Sequence, residues 1–165
     1  MKAALPTSTR FPDVPAAVRR RMSRVRKSDT KPEMIVRQLV HGLGYRFRLH
    51  RQDLPGTPDL TFPSRRKVIF VHGCFWHRHN CRLGGRLPTT RPEYWLPKLS
   101  RNVDRDRSVE IELLSLGWRV LVIWECETRS LDVIRDRLLN YLDHNTELDS
   151  QCNLVQGGAR RCDSG

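Results

Sequence analysis

The chain has 165 residues, of which 38% are hydrophobic, and this is enough for one buried core and therefore one domain. Lysine and arginine number 30 against 18 acidic residues, so the formal net charge is +12 at pH 7. That charge favours a polyanionic partner, nucleic acid before any other. No stretch reaches the ~18 apolar residues of a membrane-spanning helix. No secretion signal is visible either, so we expect a cytoplasmic protein without a membrane partner.

Five cysteines, an odd number, argue against a framework of disulfides and for metal or thiolate chemistry. Cys152 and Cys162 lie in a polar C-terminal stretch. Because chain termini are seldom well ordered, we expect these two to be unpaired thiols without a role.

The N-terminal part is polar and basic. Residues 1–17 are rich in proline, and we expect them to be loosely held. A basic arm, Val18–Lys27, follows. The residues of the arm that we expect to contact DNA are Arg19, Arg20, Arg21, Met22 and Arg24. A charge run is most often a solvated surface, but the net charge of the chain favours binding to phosphates.

A capping pattern opens the first predicted helix. The Thr30 hydroxyl can accept a hydrogen bond from the backbone N–H of Glu33, and the Glu33 carboxylate can reach back. Apolar residues then recur at helical spacing until Gly42 and Gly44 end the element. By itself this pattern indicates only a capping role for Glu33.

Two predicted strands follow. Tyr45–Leu49 alternates apolar and basic side chains, as in a strand with one buried face. Pro58 keeps its predecessor extended and cannot donate to a ladder, so Asp59 should open a strand at the margin of the sheet. A turn at Pro63–Arg66 then leads into the next strand. An aspartate after a proline is most often a turn former, so Asp59 alone does not indicate catalysis.

The most informative segment is Val71–Cys81, which follows a buried strand, Lys67–Val71, and so begins where a strand meets a loop. Four side chains suit tetrahedral Zn²⁺, three from this segment and one behind a second apolar run: Cys74, His79, Cys81 and Cys126. Four protein ligands close the coordination sphere, which makes such a zinc structural. His77 could instead take the place of His79.

Four further residues of this segment carry chemistry. An imidazole titrates near neutral pH, so His72 and His77 could each exchange a proton or polarise a phosphate oxygen. Phe75 and Trp76 lie on a loop that cannot comfortably bury both rings. They either cover the zinc site or intercalate between DNA bases.

A long helix is expected after the loop at residues 82–91. Six apolar side chains share one face of it: Trp95, Leu96, Leu99, Val103, Leu113 and Leu114. Asp106 and Glu110 fall in the middle of that face and need a partner, either a buried arginine or, for Asp106, the histidines. Pro97 falls on the opposite face and should kink the helix or delay its start.

The last predicted elements are a strand and a helix. Trp118–Trp124 is almost continuously apolar, which is typical of a central strand covered on both faces. Ser130 should cap a helix whose apolar stripe ends at Leu142. Residues 143–165 are polar and glycine-rich and should form a flexible tail. We therefore expect one α/β domain over residues 18–142, with a mixed sheet flanked by helices.

Several motifs, taken in order, resemble those of the very short patch repair endonucleases, bacterial enzymes that nick DNA at T:G mismatches. They are Leu54–Asp59, His72–His77 with His79 and Cys81, Asn102–Arg107, and Gly117–Cys126. The likeness implies a restriction-endonuclease-like fold with a structural zinc site. The strands of Asp59 and His72 look like a PD…(D/E)xK nuclease core, but Phe70 and His72 occupy the Glu and Lys positions. The resembled family shares that departure.

The resemblance also implies residue roles. Asp59 and the backbone carbonyl of Val71 would bind the catalytic Mg²⁺. His77 would be the general base, and His72 would lie near the scissile phosphate. Two acids are placed in the active site by the resemblance: Glu33 and Asp106. The implied substrate is duplex DNA with a T:G mismatch, nicked on the 5′ side of the thymine, and the implied protein partner is MutL. We further expect a monomer that associates with the nucleoid when on DNA.

Two other functions remain compatible with the sequence. One is a zinc-stabilised DNA-binding module without hydrolysis, in which Asp59, His72 and His77 would be incidental. The other is a restriction-type nuclease that cuts both strands of matched DNA. A nicking assay with Mg²⁺ separates the first case, and the need for a T:G mismatch separates the second.

Overall fold

The computed structural model describes residues 28–86 and 92–143. The chain divides into two compact units, Met1–Thr30 and Lys31–Gly165, and every helix and strand named below belongs to the second. The basic arm with its arginines and Met22, and residues 144–165, lie outside the described residues. Within the described ranges, no helix has both the length and the apolar content that crossing a membrane requires.

The described residues form three α-helices and four strands. The helices are α1 (Lys31–Gly42), α2 (Pro92–Ser115) and α3 (Leu131–Asp143). The strands are β1 (Arg48–Leu49), β2 (Leu60–Phe62), β3 (Lys67–His72) and β4 (Arg119–Trp124). Single turns of 3₁₀ helix follow β2 and β4, at Pro63–Arg65 and Glu127–Arg129. Asp143 therefore ends a helix and does not begin the tail.

The sheet is mixed, as predicted. Its order is β1-β2-β3-β4, with the first three strands antiparallel and β4 parallel to β3. The expected central position of the apolar strand is wrong for the strands described, because β4 lies at an edge and pairs only with β3. A continuous apolar run shows that both faces of a strand are covered, and it carries no information about lateral neighbours.

Two apolar cores cover the two faces of the sheet. One lies under α1 and α3 and contains Val36, Val40, Leu60, Phe62, Ile69, Ile123, Ile134, Leu138 and Leu142. The other lies under α2 and contains Leu54, Val68, Phe70, Leu113 and Trp118. Side chains alternate along a strand, so the face of β3 that carries Val68 and Phe70 also carries His72. The same rule directs Trp124 of β4 toward the α2 side, because Val120 and Val122 pack there.

The first predicted strand is shorter than expected. Only Arg48 and Leu49 pair with β2, opposite Thr61 and Leu60. Tyr45 and Phe47 nevertheless pack against the core. The alternation in Tyr45–Leu49 thus reflects the burial of one face and does not show how many residues pair with β2.

The buried face of α2 is the predicted one in part. Trp95, Leu99 and Leu113 turn inward as expected, and so does Asp106. Leu96, Val103 and Leu114 are instead 42%, 39% and 54% exposed, and Asn102 and Val109 turn inward in their place. Glu110, expected on the buried face, is exposed. Pro97 is exposed as expected, but α2 begins at Pro92, so this proline does not delay the start of the helix. The apolar stripe of a helix is about 100° wide, so periodicity alone leaves the centre of the buried face uncertain by about one residue.

Candidate active site

Asp59 lies beside the C-terminal end of β3. It directly precedes β2, and because β2 runs antiparallel to β3, the start of one strand meets the end of the other. The backbone N–H of Val71 donates a hydrogen bond to Asp59 Oδ2 at 2.7 Å. Burial raises the pKa of Asp59 to about 6, although this hydrogen bond acts in the opposite direction. A carboxylate that is costly to charge is well suited to a bound cation.

Glu33 of α1 is buried and lies within electrostatic range of Asp59. Its carboxylate accepts a hydrogen bond from Arg37, and its Oε1 is 3.3 Å from Nε2 of His50. The negative charge of Glu33 contributes to the raised pKa of Asp59. The structure thus gives Glu33 side-chain partners that the capping pattern could not indicate.

His72, His77 and Asp106 form a compact group. The two imidazole rings are stacked, with centroids 3.9 Å apart and planes at 10°. Nδ1 of His77 is hydrogen-bonded to Oδ2 of Asp106. Burial raises the pKa of Asp106, but the hydrogen bond and the charge of His77 outweigh it, so the pKa lies below its ordinary value. The acid on the inner row of α2 therefore meets the histidines, although Arg105 also lies 3.5 Å away.

Burial distinguishes His72 from an ordinary histidine. Burial and, to a lesser extent, the neighbouring His77 lower the pKa of His72 to about 4, although the charge of Asp106 acts in the opposite direction. The imidazole of His72 is therefore neutral at pH 7. Asp59 does not share the group of His72, His77 and Asp106, whose possible ligand atoms all lie within 4.8 Å of one another.

The four predicted zinc ligands come together. Their ligand atoms in Cys74, His79, Cys81 and Cys126 lie within 4.8 Å of one another. Nδ1 of His79 is 3.7 Å from Sγ of Cys74 and 3.4 Å from Sγ of Cys126. Zinc bonds of about 2.0–2.3 Å make the edges of a tetrahedron about 3.4–3.8 Å long, so these residues fit Zn²⁺. The histidine of this cluster is His79 and not His77, since His77 is hydrogen-bonded to Asp106.

The loop backbone supports this cluster. Gly84 passes so close to the carbonyl oxygens of His79 and Cys74 that any Cβ atom would overlap them. The N–H of Gly84 donates to Sγ of Cys81 at 3.4 Å and lowers the pKa of that thiol to about 6. The N–H of Cys126 donates to Sγ of Cys74 at 3.3 Å, and this partly offsets the burial that raises the pKa of the Cys74 thiol. Hydrogen bonds to sulfur favour the thiolate form that a metal requires.

An aromatic cluster adjoins the histidines. Phe75 and Trp76 are half-buried and pack on each other and on Trp95, with centroids 6.2 and 6.0 Å from the Trp95 ring. Asn102 donates a hydrogen bond to the backbone oxygen of Trp76 at 3.1 Å, and Nζ of Lys98 lies 5.5 Å from the Trp95 ring centroid. Sequence reasoning assigned Trp95 only to a core. Its position four residues before Leu99 gave no sign of this contact.

Comparison with known proteins identifies the family of the chain. The family model described as DNA mismatch endonuclease Vsr matches residues 13–83. A type II nicking enzyme of Xanthomonas oryzae pv. oryzae is 57% identical over 122 residues, covering 74% of this chain and 89% of the relative. The DNA mismatch endonuclease Vsr of Escherichia coli is 44% identical over 118 residues, covering 72% and 75%. A type II nicking enzyme of Neisseria meningitidis serogroup A is 37% identical over 117 residues, covering 71% and 83%.

Each of these relatives matches more than two thirds of the chain, and the range matched by the family model includes α1, β3 and the loop with Cys74, His79 and Cys81. The resemblance inferred from the motifs is confirmed. The protein belongs to the Vsr family of DNA mismatch endonucleases.

Proposed function

We propose that this endonuclease nicks one strand of duplex DNA on the 5′ side of the thymine in a T:G mismatch, the lesion left when 5-methylcytosine is deaminated. The observation that carries the proposal is the pairing of Asp106 with His77, stacked on a neutral His72, at the end of β3 where Asp59 also lies. The name of the Escherichia coli relative supports a mismatched substrate. The choice of T:G and a restriction-endonuclease-like topology follow from the family resemblance.

In this proposal His77 is the general base. Asp106 holds Nδ1 of His77, which leaves Nε2 as the nitrogen that can take a proton from the attacking water. The carboxylate also stabilises the imidazolium that forms. A positioned acid–base group of this kind typically contributes ~10²–10⁴-fold in rate.

His72 has a different task because it stays neutral. With a pKa of about 4, it keeps one ring N–H at pH 7 that can donate to a phosphate oxygen. The parallel stacking of His72 on His77 would make two adjacent cations unfavourable. Only His77 therefore changes its charge during the reaction.

The catalytic metal in this proposal is Mg²⁺. Asp59 would hold it with the backbone carbonyl of Val71, since Mg²⁺ accepts few protein ligands and keeps several waters. When bound, the ion supplies positive charge against the charge that develops on the phosphate. Glu33 would strengthen the negative field around Asp59 and would bind no metal itself while Arg37 engages its carboxylate.

Zinc would be structural, held by the four-ligand cluster that joins the loop after β3 to the end of β4. Metal binding at such a site contributes to folding, on the order of 10 kcal/mol or more in small zinc peptides. Cys126→Ser should therefore reduce zinc below one per chain by elemental analysis and lower the melting temperature. Cys162→Ser is the matched control and should change neither. Full zinc content and unchanged melting in Cys126→Ser would refute the assignment.

The aromatic cluster would act as a wedge. A T:G pair stacks poorly, so opening the base step beside it costs less than at a matched pair. Replacing Phe75 and Trp76 by alanine should remove stacking worth ~1–3 kcal/mol per base. We expect a sharp fall in T:G cleavage with little change in binding to matched duplex. Leu114→Ala, at an exposed position of α2, serves as the control. If the double variant bound the matched duplex as much more weakly as it bound the T:G duplex, the wedge would not discriminate between them, and the assignment would be contradicted.

Four further elements of the proposal rest on the sequence and the resemblance. The arm with Arg19, Arg20, Arg21, Arg24 and Met22 would bind DNA, with the arginines on backbone phosphates. The enzyme would act as a monomer, in the cytoplasm and on the nucleoid. MutL would stimulate it. Because phosphate contacts release counterions, salt-dependent binding to any duplex is the expected signature of the arm.

A further inference from the structure

A continuous series of ring contacts joins the zinc cluster to the histidine pair. The indole of Trp124 is stacked on His79, with centroids 4.2 Å apart and planes at 8°. The same indole meets His72 edge to face, with centroids 5.4 Å apart and planes at 73°. His72 in turn is stacked on His77. Trp124 thus contacts one ring from each of the two groups.

The sheet explains why the indole lies between them. Trp124 is the last residue of β4 and is in register with His72, the last residue of β3, so their side chains are neighbours on the same face. Cys126 follows two residues later and brings its sulfur to 3.4 Å from His79. One parallel strand pair therefore ends in a catalytic candidate on one side and a metal-ligand cluster on the other.

The backbone around Trp124 is held on both sides. The N–H of Trp124 donates to Oε2 of Glu127 at 2.7 Å, and the N–H of Glu125 donates to the carbonyl oxygen of His72 at 2.9 Å. The Glu125 carboxylate accepts a hydrogen bond from the N–H of Cys74 at 3.2 Å. With its backbone fixed in this way, the indole provides a rigid support for His72.

We propose that Trp124 is a positioning residue for DNA cleavage. Its indole rests on His79 and fixes the imidazole of His72, and through the stacked rings that of His77, in the orientation that the reaction requires. The inference rests on the catalytic roles proposed for the two histidines. It assigns to the metal cluster a second effect besides stability, because His79 of the cluster stacks on the indole that contacts His72.

A smaller side chain at this position would leave space beside His72. Among the described residues none accepts or donates a hydrogen bond at the His72 ring, so the imidazole could then rotate, and the stacked His77 would lose its fixed neighbour. A misplacement of reacting groups by about 1 Å can cost on the order of 10²-fold in rate while leaving substrate affinity intact. The expected signature is therefore a fall in kcat with an unchanged KM.

Trp118 provides a matched control. It directly precedes β4, packs on the same face of the sheet, and is 8% exposed, so its replacement should disturb the fold as much as that of Trp124. Its ring lies 5.2 and 5.8 Å from the guanidinium carbons of Arg66 and Arg51, at the far end of the strand from the histidines.

The experiment compares Trp124→Leu, Trp124→Phe and Trp118→Leu in the zinc-loaded protein. Nicking of a T:G duplex with Mg²⁺ gives kcat and KM, elemental analysis gives zinc content, and thermal melting gives stability. We expect Trp124→Leu to lose at least tenfold in kcat, to keep KM within threefold, and to keep one zinc per chain. Trp124→Phe should recover most of the rate, and Trp118→Leu should keep kcat within threefold despite a lower melting temperature.

Three outcomes would overturn the inference. A kcat for Trp124→Leu equal to that of Trp118→Leu would show that the indole only stabilises the fold. A loss of zinc in proportion to the loss of rate would show that it only holds the cluster. Failure of the wild type to nick the T:G duplex would refute the proposed function, and the inference with it, whereas the first two outcomes leave that function intact.

Discussion

Asp59→Asn should abolish nicking and, in the zinc-loaded protein without Mg²⁺ at pH 7, raise the melting temperature. The amide keeps the shape of the side chain and an acceptor for the Val71 N–H, but it loses the charge that binds Mg²⁺. The folded-state pKa of about 6 lies above the ordinary 3.8, so the wild type loses stability as pH rises from about 4 to 6. The variant escapes that loss, which we expect to be on the order of 1 kcal/mol or more, a few degrees in Tm.

Two further measurements distinguish this account. Mg²⁺ should raise the melting temperature of the wild type but not of Asp59→Asn, because only the charged site binds the ion. Mg²⁺ binding by the wild type should weaken as the pH drops through about 6, because Asp59 takes up a proton, so nicking at a low Mg²⁺ concentration should fall over the same range. Asp53→Asn is the control, since its carboxylate pairs with Arg51 at the surface and should not affect nicking. Near-normal nicking by Asp59→Asn would refute the metal assignment.

His77→Ala should slow the single-turnover nicking rate by roughly 10²- to 10⁴-fold without weakening DNA binding. Asp106→Asn should also slow it, because an amide can no longer hold Nδ1 of His77 and stabilise the imidazolium in the same way. Since Asp106 acts through His77, the double variant should be no slower than His77→Ala alone.

The control for this pair is Glu110→Gln. Glu110 lies one turn beyond Asp106 on α2 but is exposed, so its replacement should leave the rate unchanged. Additive losses in the double variant would contradict the pairing. They would mean that Asp106 has a separate function, such as binding the metal itself.

The helices and strands that position the site could be predicted from the sequence more accurately than the way in which they are arranged. The strand ending at His72 and the run at Trp118–Trp124 were both visible, because buried strands are short and continuously apolar. The edge position of β4 was not, since lateral pairing depends on residues far away in sequence. The two-residue length of β1 was likewise not visible, because alternation indicates the burial of one face and not the number of paired residues.

The candidate site shows a similar division. The spacing of Cys74, His79 and Cys81 indicated a metal cluster because few other functions need two thiols and an imidazole so close together. Two contacts of the site could not be predicted from the sequence. Trp95 joins Phe75 and Trp76 from a helix, and Trp124 lies between the cluster and His72. Both tryptophans resemble core residues in the sequence, since an apolar side chain carries no sign of what it packs against.

Cleavage of a duplex with one T:G pair, labelled on each strand in turn and compared with the matched T:A duplex in the same salt and Mg²⁺, tests the central claim. The account predicts a single nick, in the thymine-bearing strand only, on the 5′ side of the mispaired thymine, with little cleavage of the matched duplex. Equal cleavage of both strands, or of both duplexes, would contradict it.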